Sequence, residues 1–249
     1  MADFVSTPIR VLSAEEIARM LASHRLYRKT EYHEGHRADL SSVDLTGRDF
    51  SGLDLRGIKM DRAVLRGADF SGANLRATNL IGAIAHQARF DRADLSRARL
   101  SGANLVSASF ESARLVRAEM EFALMANAFL QGACLGEADM SGAQLDRAVL
   151  TGTDLRKTNL RGAGLRAAQL DAADLRDARL GSAFLAGASL RGADLCGAYL
   201  RLSKLDGADL SDANLEGAEG ITQAQLDRAH VNLGTKLPED LTGAKNAKR

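Results

Sequence analysis

The histidines and cysteines are the side chains of this sequence best suited to metal binding or nucleophilic chemistry. His33 and His36 form a His-Glu-Gly-His segment, in which two imidazoles could share a metal ion, and His24 lies nearby in the chain. The alternative, which the sequence favours, is that this segment is a solvated linker. Cys134 and Cys196 have neither a paired thiol nor a histidine close in sequence, so they are expected to be structural.

Sequence motifs of common enzyme classes are missing from the chain. It contains no G-x-G-x-x-G, G-x-x-x-x-G-K-[ST], H-E-x-x-H, C-x-x-C or G-x-S-x-G. We therefore expect a protein that is not an enzyme and that uses no cofactor or metal.

Composition narrows the class of protein further. The chain has 249 residues, 45% of them hydrophobic, which is too apolar for a disordered protein, and its formal net charge is +1. A net charge this close to zero does not indicate a basic surface for binding nucleic acid. No apolar run is long enough to cross a membrane, and the N-terminus does not have the pattern of a secretory signal, so a cytoplasmic location is expected.

A five-residue repeat determines how all these side chains are positioned. A central residue, large and apolar in all units but one, recurs at every fifth position from Leu40 to Leu215, which gives 36 units without an insertion. Leu fills 27 of these central positions, Ala fills 28 of the positions two residues earlier, and Gly often follows two residues later. A period of five suits neither a helix nor a continuous strand, so the chain must turn within every unit. The large and small residues then point inward and the residue between them points outward.

The phenylalanines indicate how the units stack. The four that occupy central positions are spaced by twenty residues, which predicts four units per coil and a stacked aromatic ladder inside about nine coils. This core ladder consists of Phe50, Phe70, Phe90 and Phe110.

The units resemble those of the pentapeptide repeat proteins, written A-(D/N)-L-x-x. Asp or Asn precedes the central residue in 16 units, as in Ala68-Asp69-Phe70. The resemblance implies an all-β solenoid, a right-handed quadrilateral β-helix, over residues 38–219. It implies much less about function, because one fold supports many functions.

Both ends of the solenoid are expected to carry short α-helical caps. Ser13 and Glu16 form a capping box before a helix predicted from Ala14 to Tyr27, and Thr222 begins a second one that should end near Ala229. The predicted domains are therefore an arm and capping helix at 1–37, the β-helix at 38–219, and a capping helix with a basic tail at 220–249.

Most of the charged residues are expected to pair with opposite charges in neighbouring coils. Residues 38–219 carry 24 acidic and 22 basic side chains. Some pentapeptide repeat proteins that confer quinolone resistance bind DNA gyrase through a strongly acidic, DNA-like rod. The near-neutral repeat disfavours such a topoisomerase-binding modulator, which is kept as the alternative function.

The remaining candidate site is a group of apolar residues that the repeat places on the outside. We expect a rigid repeat rod that acts as a protein-protein interaction module, with an unknown protein partner or a second copy of the chain on this surface, and with no direct contact to nucleic acid or membrane. Two alternatives stay open: the arm around residues 4–11 covers these side chains, or the fold simply tolerates them. The candidate residues are Val64, Ile84, Val106, Phe122, Leu124, Phe129 and Phe184.

Overall fold

Four pentapeptide units make one coil of the solenoid. The computed structural model describes residues 8–241, and its β structure consists of single-residue parallel bridges between residues that are twenty apart along most of the repeat. Asp49 bridges to Asp69, for example, and Asp69 bridges to Arg89. The backbone N–H of Leu55 donates to the carbonyl oxygen of Asn74, 2.8 Å away in the next coil. Backbone hydrogen bonds therefore join neighbouring coils throughout the repeat.

The interior is a column of central residues lined by alanines. Every central residue is buried, and the rings of Phe50, Phe70, Phe90 and Phe110 lie one above another. Their successive centroids are 4.9, 5.1 and 4.9 Å apart, and neighbouring ring planes differ by 10° or less. This spacing matches the separation of hydrogen-bonded strands, so the ladder follows directly from the coil repeat.

The turns all use one backbone conformation. In every unit the second residue after the central one has a φ between 53° and 71°, and the central carbonyl accepts a hydrogen bond from the N–H three residues on. Gly fills this position in only 16 units, whereas Arg, Ser, Ala, Asp and even Phe122 adopt the same left-handed conformation elsewhere. The glycine pattern thus revealed fewer than half of the left-handed positions.

The Asp or Asn before each central residue supports the turn that follows. In all 16 units that have one, its side-chain oxygen accepts a hydrogen bond from the backbone N–H two residues later. Asp49, for instance, accepts from the N–H of Ser51 at 2.8 Å. The coil-to-coil hydrogen bonds leave this backbone N–H unpaired, and the Asp or Asn side chain satisfies it. This explains why Asp or Asn is frequent at the second position of the five-residue unit.

Within residues 8–241, two helices flank the repeat. Helix α1 spans Ala14–Lys29, two residues longer than the sequence predicts, and begins with the expected capping box at Ser13. Its Ile17 and His24 are buried against the first coils.

The second helix is shorter than expected. Helix α2 spans only Gln223–Leu226, because the chain beyond it returns to the solenoid and the Arg228 carbonyl accepts from the N–H of Gly207 at 2.8 Å. Bridges then continue at His230 and Lys236. At the other end, Arg10 bridges to Val43 at the edge of the first coil. The predicted basic tail at 245–249 and the arm at 4–7 lie outside the described residues.

Candidate functional site

Four of the predicted apolar residues lie on one side of the solenoid or at its edges, the side that carries Leu105 and Met125. Ile84, Val106 and Leu124 are half-buried there, whereas the side chain of Phe122 is 70% exposed. We call these four residues the Phe122 surface.

Phe122 stands out because a large aromatic side chain occupies a left-handed turn position. Its φ is 56°, a conformation that costs free energy for a bulky residue. The Cδ1 and Cε1 atoms of its ring lie over Gly142 of the next coil, where an added Cβ would come within 2.6 Å of them. Gly82, Gly102, Gly142 and Gly162 occupy equivalent turns in the same row, so Phe122 projects from a run of glycines, which Arg62 precedes and Ser182 and Leu202 follow.

The other three predicted residues do not join this surface. Val64 is 5% exposed and therefore belongs to the buried part of the molecule. Phe129 is exposed but lies on the adjacent side of the solenoid, beyond the next turn. Phe184 lies three coils from Leu124, and the guanidinium carbon of Arg166 is 4.6 Å from the centroid of its ring.

Sequence reasoning also missed an exposed apolar residue within the repeat. Leu202 is 64% exposed and has a φ of 63°, at a turn equivalent to that of Phe122. The exposure of Leu202 could have been predicted from the sequence, because a residue two positions after a central one must point away from the core. The described part of the arm does not cover the Phe122 surface by pairing, since Arg10 pairs with the edge of the first coil.

The charged side chains along the solenoid form many exposed pairs. Arg99 and Glu119 approach to 3.0 Å and Arg117 and Glu137 to 2.9 Å, each pair joining adjacent coils. Other pairs lie within one unit, such as Arg176 with Asp174 at 2.6 Å, an arrangement that the sequence analysis did not anticipate. Such pairs contribute little stability, yet they leave neighbouring charges of opposite sign along the rod.

The histidines and cysteines singled out in the sequence do not come together. The ring Nδ1 of His33 lies 2.8 Å from the carbonyl oxygen of Thr30, and the backbone N–H of His36 donates to the hydroxyl of Ser23. Cys134 and Cys196 are half-buried thiols without a disulfide. Within residues 8–241, no three His, Cys, Asp or Glu side chains are grouped so that they could hold a metal ion. None of the helices in this part of the chain is long and apolar enough to cross a membrane.

Comparisons with known proteins agree with this geometry. The family model for pentapeptide repeats matches the chain in eight copies over residues 38–76, 73–111, 103–142, 143–181 and 182–219. A search of curated proteins gave no significant match.

Several solved structures are similar to the chain. One is HetL, a pentapeptide repeat protein involved in heterocyst differentiation regulation from the cyanobacterium Nostoc sp. strain PCC 7120, with 30% identity, coverage of 92% of this chain and 94% of HetL, and a TM-score of 0.39. Another is QnrB1, a plasmid-mediated fluoroquinolone resistance protein, with 23% identity, coverage of 82% and 93%, and a TM-score of 0.36. The family model covers well over half of the sequence, and the chain therefore belongs to the pentapeptide repeat family, whose fold is a right-handed quadrilateral β-helix.

Proposed function

We propose that this chain is a non-enzymatic interaction module that binds a partner protein through the Phe122 surface. The observation that carries the proposal is the ring of Phe122, which is 70% exposed at the edge of the side that also carries Leu124 and Val106. Burying an exposed aromatic ring in a complex is favourable, and such rings dominate many protein interfaces. Pentapeptide repeat proteins are generally structural or binding modules rather than enzymes, which supports this class of function.

The surface suits a short apolar segment of another protein better than a second copy of the chain. It consists of four side chains, whereas a standard protein interface uses roughly 20–30 residues on each side. The glycine turns beside Phe122 place no side chain in the way of an extended segment lying along this row. In this proposal residues 38–219 form the binding domain, residues 1–37 and 220–249 close its ends, and binding takes place in the cytoplasm.

The test replaces the surface with residues that the same fold already uses at equivalent positions. Phe122→Ser introduces a residue found at the turn of Ser182, and Leu124→Gln introduces the residue that Gln144 provides one coil later. A photoreactive amino acid at Val106 would capture the partner in cells, and its affinity would then be measured with purified proteins. We expect the double variant to weaken binding about ten-fold or more, since each buried large apolar side chain contributes roughly 1.5–3 kcal/mol.

The matched control is Phe129→Gln, which removes an exposed aromatic side chain from the adjacent side of the solenoid and introduces the residue that Gln169 provides two coils later. It should bind the partner as the wild type does. Equal binding by the wild type and the double variant would contradict the proposal. A concentration-dependent dimer that the double variant abolishes would instead assign the surface to a second copy of the chain.

The topoisomerase-binding alternative makes a different prediction. It requires inhibition or protection of DNA gyrase by stoichiometric amounts of the chain, through a surface that resembles a polyanion. The alternating charge pairs, such as Arg99 with Glu119, argue against such a surface. A supercoiling assay with the purified chain distinguishes the two functions.

A further inference from the structure

A cavity of about 420 Å³ lies between the C-terminal part of α1 and the first coils. Four arginines contribute to its walls: Arg28 from α1, Arg37 from the segment that follows it, and Arg56 and Arg76 from successive coils. Cavities of roughly 300–1,000 Å³ commonly hold small ligands. The sequence analysis did not identify this site, because its arginines come from three separate parts of the chain.

Among the residues that the structure describes, two of the four positive charges have a carboxylate partner. Arg56 pairs with Asp54 at 2.6 Å, and Arg76 lies 3.7 Å from a carboxylate oxygen of Asp94. Between residues 8 and 241, no carboxylate forms an ion pair with Arg28 or Arg37. The cavity therefore has an excess of two positive charges.

Neighbouring groups hold these two arginines in place. The Nη1 of Arg28 donates to the hydroxyl of Tyr32 at 2.6 Å, and its guanidinium carbon lies 5.2 Å from the centroid of that ring. The Nε of Arg37 donates to the carbonyl oxygen of Gly57. The Nε of Arg28 is buried and has no hydrogen-bond partner. The site thus contains an oriented guanidinium with donor capacity that the protein does not use.

His24 forms a buried part of the same wall. The residue is 1% exposed, lines the cavity, and accepts a hydrogen bond at Nδ1 from the backbone N–H of Ala38 at 3.3 Å. Burial lowers the pKa of His24, an effect that the backbone of Arg56 partly offsets, so the neutral ring is favoured. Since Nδ1 accepts from Ala38, the proton lies on Nε2, the ring nitrogen left to interact with the backbone of Arg56.

We propose that this cavity binds the phosphate groups of a small phosphorylated molecule. Guanidinium groups bind phosphate oxygens through paired hydrogen bonds, and the two positive charges without carboxylate partners match a multiply charged phosphate better than a single carboxylate. The rings of Tyr27 and Tyr32, whose centroids are 4.9 Å apart, also line the cavity and provide an apolar surface for the remainder of the ligand.

The experiment is a titration of the full chain with pyrophosphate at constant ionic strength, followed by calorimetry and tyrosine fluorescence. The chain has three tyrosines and no tryptophan, and two of those tyrosines line the cavity, so binding should change a large part of the emission. We expect saturable binding of pyrophosphate, tighter binding of a nucleoside diphosphate that also contacts the tyrosines, and weaker binding of inorganic phosphate.

The decisive variant is Arg28→Gln/Arg37→Gln, which should weaken pyrophosphate binding about ten-fold or more. Arg97→Gln/Arg147→Gln removes the same charge from two exposed turns, where Gln87 already shows that glutamine fits, and should bind as the wild type does. If the first variant fails to fold, Arg76→Gln can be used instead, because Arg76 is exposed. It should weaken pyrophosphate binding by a smaller factor. Absence of saturable binding, equal weakening by both double variants, or tighter binding of a tricarboxylate than of pyrophosphate would overturn the proposal.

Discussion

The interior of the solenoid and its turns achieve the same regularity in different ways. Inside, one position is almost always Leu and another almost always Ala, so the side chain itself is selected. At the turns, residues as different as Gly152, Arg147 and Phe122 share one backbone conformation, with φ between 56° and 64°. The hydrogen bonds to adjacent coils impose this conformation whichever residue is present, at a local cost that the rest of the coil offsets. In this fold the core constrains residue type, whereas the turns constrain only the backbone.

The largest expected effect comes from placing a charge in the interior. Leu115 is completely buried, so Leu115→Lys removes its packing and buries an unpaired ammonium group. We expect a loss of about 5 kcal/mol or more, enough to abolish cooperative folding of the rod. Leu202→Lys is the control, since Leu202 is 64% exposed at a turn and should tolerate the same change. Thermal unfolding followed by circular dichroism measures both, and a native melt for Leu115→Lys would refute the interior assignment.

A smaller effect should follow from titrating the carboxylates that support the turns. Hydrogen bonds from the residues two positions later hold the pKa values of Asp44, Asp49 and Asp69 below the ordinary carboxyl range. Since the folded-state pKa is the lower one, the stabilisation is complete above the unfolded pKa, and it is lost as pH falls through the folded value. The melting temperature should therefore decrease from about pH 5 to about pH 2.

The matched variant for this titration is Asp44→Asn/Asp49→Asn/Asp69→Asn. Asparagine accepts the same turn hydrogen bond in other units, as Asn104 does from the N–H of Val106, but it does not titrate. Its melting temperature should fall less with acid than that of the wild type. An identical decrease would show that other groups determine the acid sensitivity.

The smallest effect tests the backbone cost of the turns directly. Gly152 has a φ of 64°, and a Cβ atom added to it would meet nothing within 4 Å beyond its chain neighbours, so Gly152→Ala introduces only the left-handed penalty, about 1 kcal/mol. Ala167, with a φ of 53°, offers the reverse change, and Ala167→Gly should stabilise the chain by up to about 0.5 kcal/mol. Chemical denaturation measures both, and shifts of the same sign would contradict a backbone origin of the cost.

The interior could be predicted from the sequence more completely than the turns or the surfaces. The positions of Leu115 and Phe70 follow from a period of five and a spacing of twenty, because side-chain type and burial are directly related. The left-handed conformation of Phe122 could not be inferred from its own preferences, since the coil imposes it. The sequence analysis explained the charged residues in general by pairing between coils, whereas the hydrogen bond of Asp49 to the following turn depends on a backbone geometry that only the folded coil provides.

The candidate sites show a similar limit. The apolar grouping of Ile84, Leu124 and Phe122 follows from their register, but the burial of Val64 depends on packing that periodicity does not describe. The cavity at Arg28 and Arg37 depends on how α1 docks against the coils, which no local pattern specifies.

The coil-to-coil bridges also determine how the molecule would respond to force. Because these hydrogen bonds run along the rod, tension applied between its two ends would act on one coil interface after another rather than on all of them together. Each coil of twenty residues occupies about 4.8 Å of the axis, whereas twenty extended residues span roughly 70 Å. Such a rod resists bending across its width. When stretched, it would unfold one coil at a time, and each unfolded coil would lengthen the molecule by the same amount.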